Sequence, residues 1–194
     1  METNDIPIVQ NPTLLDSVFA EIQIGLKKNL PWLDYAFGRA QRITKKINTS
    51  KSSKSYIFPA CYKGKNDYED VSPDSNLGNF SFFTILEPQI LYFIQNQLGA
   101  IKVPFALIFW FDLRKVYPLS HSERNTESVK AEILRALHLK IKPTQGTFRL
   151  NRIFERSENI YKEYPGVMEI DNQFLMHPYA GFRFEGILKV NEPC

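Results

Sequence analysis

The chain has 194 residues, 43% hydrophobic and 23% charged, proportions that exclude disordered, collagenous and coiled-coil proteins. At about 150 residues per domain the length predicts one domain over 1–194. The formal net charge of +3 is small beside the strongly positive total typical of a nucleic-acid binder.

Asn11-Pro12 reads as an N-cap followed by proline in the first helical position, and Leu14, Leu15, Val18, Phe19, Ile22 and Leu26 recur at helical spacing. This predicts an amphipathic helix over 12–29, ended by Pro31. Tyr35–Ile47 and Tyr56–Tyr62 mix aromatic and β-branched residues with basic ones and predict two strands. The polar stretch between them predicts a projecting basic loop at about 48–55, mobile for want of an apolar anchor. Ser72–Gly78 is rich in turn residues, and Phe80–Leu86 reads as a buried strand. Gln89–Gln97 fits either a short helix or an irregular stretch.

The strongest strand signal is Val103–Tyr117. Phe105, Leu107, Phe109, Phe111 and Leu113 share one face, and Ala106, Ile108 and Trp110 the other. A strand apolar on both sides is expected to be covered on both sides, until Asp112 and Arg114 turn the second face polar. A second helix begins at Asn125 or Thr126 and buries Val129, Ile133, Leu134 and Leu137, with Gly146 near its stop. Thr147–Glu155 alternates Phe148, Leu150 and Phe154 against Arg149, Asn151 and Glu155. Phe182–Val190 alternates in the same way, with Arg183, Glu185 and Lys189 on the polar side and Gly186 suggesting a bulge. The order helix, strands, helix, strands predicts an α+β fold, a mostly antiparallel sheet with two helices packed against it.

Charge is unevenly distributed. Tyr35–Asn66 holds eight basic residues and no acidic one, and Asp67–Ile101 holds five acidic residues and no basic one. If both blocks stay contiguous in the fold they form opposed patches suited to a neighbouring copy. Arg39, Arg42, Lys45 and Lys46 would then face Asp67, Glu69, Asp70 and Asp74 of that copy.

Catalytic patterns are missing. His121, His138 and His177 have no metal-ligand spacing, and there is no P-loop, Gly-x-Gly-x-x-Gly or Gly-x-Ser-x-Gly motif. No catalytic, metal or cofactor residue is therefore expected. Cys61 and Cys194 are too few for a disulfide scaffold or a four-ligand zinc site, and Cys61 reads as a core residue. No basic, then apolar leader opens the chain, and the apolar run Val103–Phe111 is far below the roughly 20 residues of a membrane span. Two other readings compete. In one, the basic 39–65 segment grips nucleic acid while Tyr35, Phe37 and Tyr56 stack on bases. In the other, a hydrolase site forms around Asp171 and His177.

From Pro104 onward the chain shows a recognisable layout. It runs through the apolar strand Ala106–Leu113 (ALIFWFDL), a helix ending Ala131–Leu137 (AEILRAL), an arginine-bearing strand and a closing strand with Phe182–Leu188 (FRFEGIL). Behind an N-terminal helix, this order resembles the tail terminator and tail-completion proteins of long-tailed bacteriophages. The chain is longer than the usual small member, through the loop around Lys51 and the segment 67–97. The resemblance implies a non-enzymatic virion-assembly protein of a phage or prophage. Such a subunit forms a homo-oligomeric ring, meets the tail tube and the head-connector proteins, and resides in the virion or, during assembly, in the bacterial cytoplasm. The 15 Phe, 9 Tyr and 2 Trp suit such protein contacts.

Overall fold

The computed structural model describes residues 8–9, 11–48, 53–74, 76–94, 97–120, 122, 125–170 and 174–191. It is an α+β fold built on a large, mostly antiparallel sheet of eight strands. They are β1 (Tyr35–Asn48), β2 (Ser53–Gly64), β3 (Asp67–Asp70), β4 (Phe80–Ile85), β5 (Ile90–Ile94), β6 (Gln97–Asp112), β7 (Gly146–Phe154) and β8 (Tyr179–Asn191). The strand order is β3-β2-β1-β4-β6-β8-β7, and β5 pairs with β6 beyond the end of β4. Only β1 and β4 run parallel. The helices are α1 (Leu15–Asn29), α2 (Leu113–Val116), α3 (Thr126–Arg135), which continues as a π-turn over Ala136–Lys140, α4 (Ser157–Ile160) and α5 (Pro165–Ile170).

The long strand β6 sets the architecture. It pairs with β8 from Ala100↔Asn191 to Asp112↔Tyr179, and period-2 alternation sends its side chains to two separate cores. On the first face Phe105, Leu107, Phe109 and Phe111 join Phe83, Phe182 and Phe184 beneath α1 and α3, which contribute Val18, Phe19, Ile22, Val129, Ile133 and Leu137. On the second face Ile108 and Trp110 join Phe37, Phe58, Phe80 and Phe82 beneath Ile160, Tyr161, Tyr164, Val167 and Phe174. Both faces of the strand are thus covered, as the sequence implies.

Several expectations are corrected. Helix α1 begins at Leu15, because positive φ angles at Asn11 (50°) and Leu14 (47°) prevent a regular helical turn from starting at residue 12. Leu14 is consequently 38% exposed and lies outside the core. The chain leaves the extended conformation at Leu113, which is buried within α2 rather than in the strand. Residues 90–94, left open between helix and loop, form a strand paired to β6. The connection between β7 and β8 holds α4 and α5, which cover the second face. The β1–β2 ladder holds from Ala40↔Cys61 to Asn48↔Ser53, so Lys54 and Ser55 belong to β2. The remainder of the predicted basic loop, 49–52, lies outside the described residues.

The irregularity expected at Gly186 is real, but the register shift is opposite it on β7, between Leu150 and Arg152. A Cβ on Gly186 would lie 2.4 Å from the Arg149 carbonyl oxygen, so only glycine admits this approach of the two backbones. At the other end of the sheet, buried Asn79 joins three segments. Its Nδ2 donates to Trp32 O at 2.9 Å, and its Oδ1 accepts from the Asp112 N–H at 2.8 Å. Gly78, at φ 84°, makes the turn into this position.

Phe109 is fully buried, edge-to-face with Phe184 at 5.8 Å between ring centroids. Phe109→Ala is expected to destabilise the fold by about 3–5 kcal/mol in equilibrium urea denaturation. A loss below about 1 kcal/mol would contradict its place in the core.

Candidate functional site

The predicted charge blocks meet within one chain. Basic β1 and β2 and acidic β3 are neighbours in the sheet. Lys45 forms an ion pair with Asp70, whose Oδ1 also accepts from Ser72 N–H at 3.0 Å and Ser72 Oγ at 2.6 Å. Lys63 reaches Glu69 at 2.7 Å and Asp67 at 3.2 Å. Asp74 receives the Asn76 N–H at 2.8 Å within its own turn. Arg42 donates to the Glu163 carbonyl at 3.3 Å, while Arg39 and Lys46 lie exposed along β1. Of the eight residues proposed for an interface, the fold pairs Lys45 with Asp70 and leaves the others spread over β1, β3 and the turn at Asp74.

Phe37 is buried in the second core, and Tyr56 donates its hydroxyl to Glu169 at 3.3 Å. Tyr35 is 40% exposed and stacks on Phe37 with ring centroids 5.5 Å apart. His177 precedes β8, whereas its proposed partner Asp171 lies outside the described residues, as does His121. His138 sits in the π-turn. Among the described residues no group of three or more His, Cys, Asp or Glu side chains is placed to hold a metal ion. Cys61 is fully buried, and burial pushes its thiol pKa well above the ordinary value, which makes it a core residue.

The most highly charged buried cluster was not foreseen. Arg183 and Glu185 occupy the polar side of the β8 alternation, which reads as a solvent face, yet Arg183 is 0% and Glu185 6% exposed. The segment holding α4 lies over them. Arg183 makes a bidentate pair with Glu163 (2.5 and 2.7 Å), reaches Glu185 at 2.8 Å and donates to the Ile160 carbonyl at 3.2 Å. Lys162 bonds Glu185 at 2.7 Å. The guanidinium's bonds to Glu163 and to the Ile160 carbonyl reach the cover, while its Nε–H is held by Glu185 of the same strand, so the cluster serves as a polar lock between β8 and the second-face layer. Trp110 Nε1 donating to Phe174 O (2.7 Å) and the Thr84–Tyr164 hydroxyl pair (2.9 Å) fix the same layer to β6 and β4.

Two surface features remain without a role inside the chain. The first is β5, where Ile90, Leu91, Tyr92 and Phe93 are 48%, 53%, 40% and 63% exposed in succession. Its hairpin with the start of β6 extends past the end of β4, and among the described residues β5 has no second strand neighbour in the sheet. Lys102 lies over the Tyr92 ring at 4.4 Å. The second is a groove of about 860 Å³ between the end of α3 with its π-turn and the edge strand β7. The exposed run at β5 is not legible in the sequence, where the apolar residues of 89–97 fit either a short helix or an irregular stretch.

No helix among the described residues is long and apolar enough to cross a membrane. The chain matches no protein-family model and no curated protein sequence.

Burial pushes the Glu185 carboxyl pKa up, but hydrogen bonds from Lys162 and Arg183 outweigh it and hold the group below the ordinary 4.5. A depressed folded-state pKa contributes stability above the unfolded value and loses it as pH falls through the folded value. The urea midpoint is therefore expected to drop on acidification below 4.5, and Glu185→Gln should flatten that dependence. Glu163→Ala removes the bidentate partner of a buried cation and should cost about 3 kcal/mol at neutral pH. A neutral effect would show that Arg183 does not lock the cover.

Proposed function

We propose that the protein is a non-enzymatic assembly subunit of a phage or prophage virion, of the tail terminator or head–tail joining kind. It acts by binding copies of itself, the tail tube and the head connector. The observation that carries this reading is strand β5, with four consecutive apolar residues exposed beside an unpaired sheet edge. Such an edge invites strand pairing with another chain, and apolar surface concentrated on one projecting element is characteristic of protein contacts.

Two further features favour it. The order of elements that carries the family resemblance is the order β6, α3, β7, β8. The two ends of the main sheet are also unlike: on β3 the carboxylates Asp67, Glu69 and Asp70 are paired with Lys63 and Lys45 of the same chain, whereas β7 bears exposed Arg149 and Arg152. Unlike ends suit head-to-tail contacts of the kind that close rings. Because Lys45 and Lys63 are already paired with carboxylates of their own chain, the apolar strand is a stronger docking element than the basic block.

Substituting Leu91→Glu and Phe93→Glu together tests the reading, since both side chains are more than half exposed and the fold should survive. Circular dichroism and thermal melting are expected to match the parent chain. Electron microscopy of particles made with the variant should show tails left unjoined to heads. Normal virions carrying the variant would overturn the assembly role of β5.

A further inference from the structure

The groove beside β7 has the makings of an acceptor for a strand. Five consecutive residues, Gly146 to Leu150, line it, so the floor is the edge of the strand and not one of its faces. Among the described residues β7 pairs with β8 alone, which leaves its outer row of N–H and C=O groups without a sheet partner there. Leu137 from the π-turn, Ile141 just after it, and Phe148 and Leu150 from β7 make the walls apolar. Arg135, Lys142 and Arg149 stand at the rim, exposed, and no carboxylate lines the groove.

The same chain carries an element with the complementary properties. β5 is five residues long, equal to the five lining residues of β7. Its Leu91 and Phe93 share one face and are its most exposed side chains. The strand is preceded by Glu87 and lies in the 67–101 segment, which has five acidic residues and no basic one. Lys102, paired across from Ile90 on β6, is engaged over the Tyr92 ring.

Resting on the assembly reading above, we propose that β5 of one copy adds to the free edge of β7 in a second copy. Leu91 and Phe93 enter the apolar groove, and Glu87 approaches its basic rim. Main-chain hydrogen bonds supply the pairing and the alternate side chains supply selectivity, as in other strand additions. Donor and acceptor are different surfaces, so the contact is heterologous and propagates from copy to copy.

Sedimentation of the full chain and two variants over a wide concentration range tests this. The donor variant is Leu91→Glu with Phe93→Glu, and the acceptor variant is Leu139→Glu with Arg149→Glu, all at exposed positions. The parent chain is expected to associate as concentration rises, and each variant alone to associate at least about tenfold more weakly, a difference of about 1.4 kcal/mol. Mixed one to one, the variants should form discrete dimers, because one intact donor and one intact acceptor remain to pair once. A parent chain that never associates, or a mixture that stays monomeric, would overturn the proposal. So would an acceptor variant that associates like the parent. In that last case loss of association by the donor variant alone would leave the assembly role of β5 standing and assign it a different partner surface. Failure of the assembly reading itself would appear separately, as normal virions made with the donor variant.

Discussion

The structure depends on one constraint: the middle of β6 is apolar on both faces, and water must be excluded from both. Phe105, Leu107, Phe109 and Phe111 need α1 and α3 above them, and Ile108 and Trp110 need the α4–α5 segment below. Burying large aromatic and aliphatic side chains contributes roughly 1.5–3 kcal/mol each, and this gain is realised only if both layers close. The sheet is therefore a central layer between two unlike covers. The first is a pair of amphipathic helices. The second is a pair of helices too short to hold their own geometry.

That weakness explains the buried charges. A cover made of α4, with four residues, and α5, with six, offers little cooperative helix formation. It is held instead by directional contacts from the sheet. Arg183 forks onto Glu163, Trp110 donates to Phe174 O, and Thr84 meets Tyr164. Placing a guanidinium in the interior is costly unless it is fully partnered, and here two carboxylates and a carbonyl partner it. The lock also explains why charged residues occupy the middle of a strand that is otherwise apolar.

Much of the first core was legible in the sequence, because it rests on clean periodicity. Val18 and Ile22, Val129 and Ile133, and the odd-numbered aromatics of β6 are where period 3.6 and period 2 put them. Arg183 and Glu185 were misleading, since alternation reports two faces but not what lies over each. The α4–α5 cover is brief and irregular, with no period long enough to detect. The meeting of basic β1–β2 with acidic β3 was equally hidden: a count along the chain separates the blocks, whereas antiparallel pairing places Asp70 opposite Ala60 and Lys45 within reach of both strands. Exposure at Ile90–Phe93 emerged only once the limits of the covers were known.

Those limits link the fold to its proposed role. The covers seal β6 over 103–111, and the hairpin of β5 with residues 97–102 continues the sheet past them. Apolar side chains Ile90, Leu91, Tyr92 and Phe93 on that extension are exposed among the described residues, and they are the surface on which the proposed assembly rests. Hydrogen exchange resolved by peptide, on the dilute chain and on the assembled form, tests this most directly. The account predicts slow exchange at 105–111 in both states, with fast exchange over 90–93 when dilute that becomes slow on assembly. Equal exchange over 90–93 in the two states would contradict the claim that β5 is the surface on which the protein assembles.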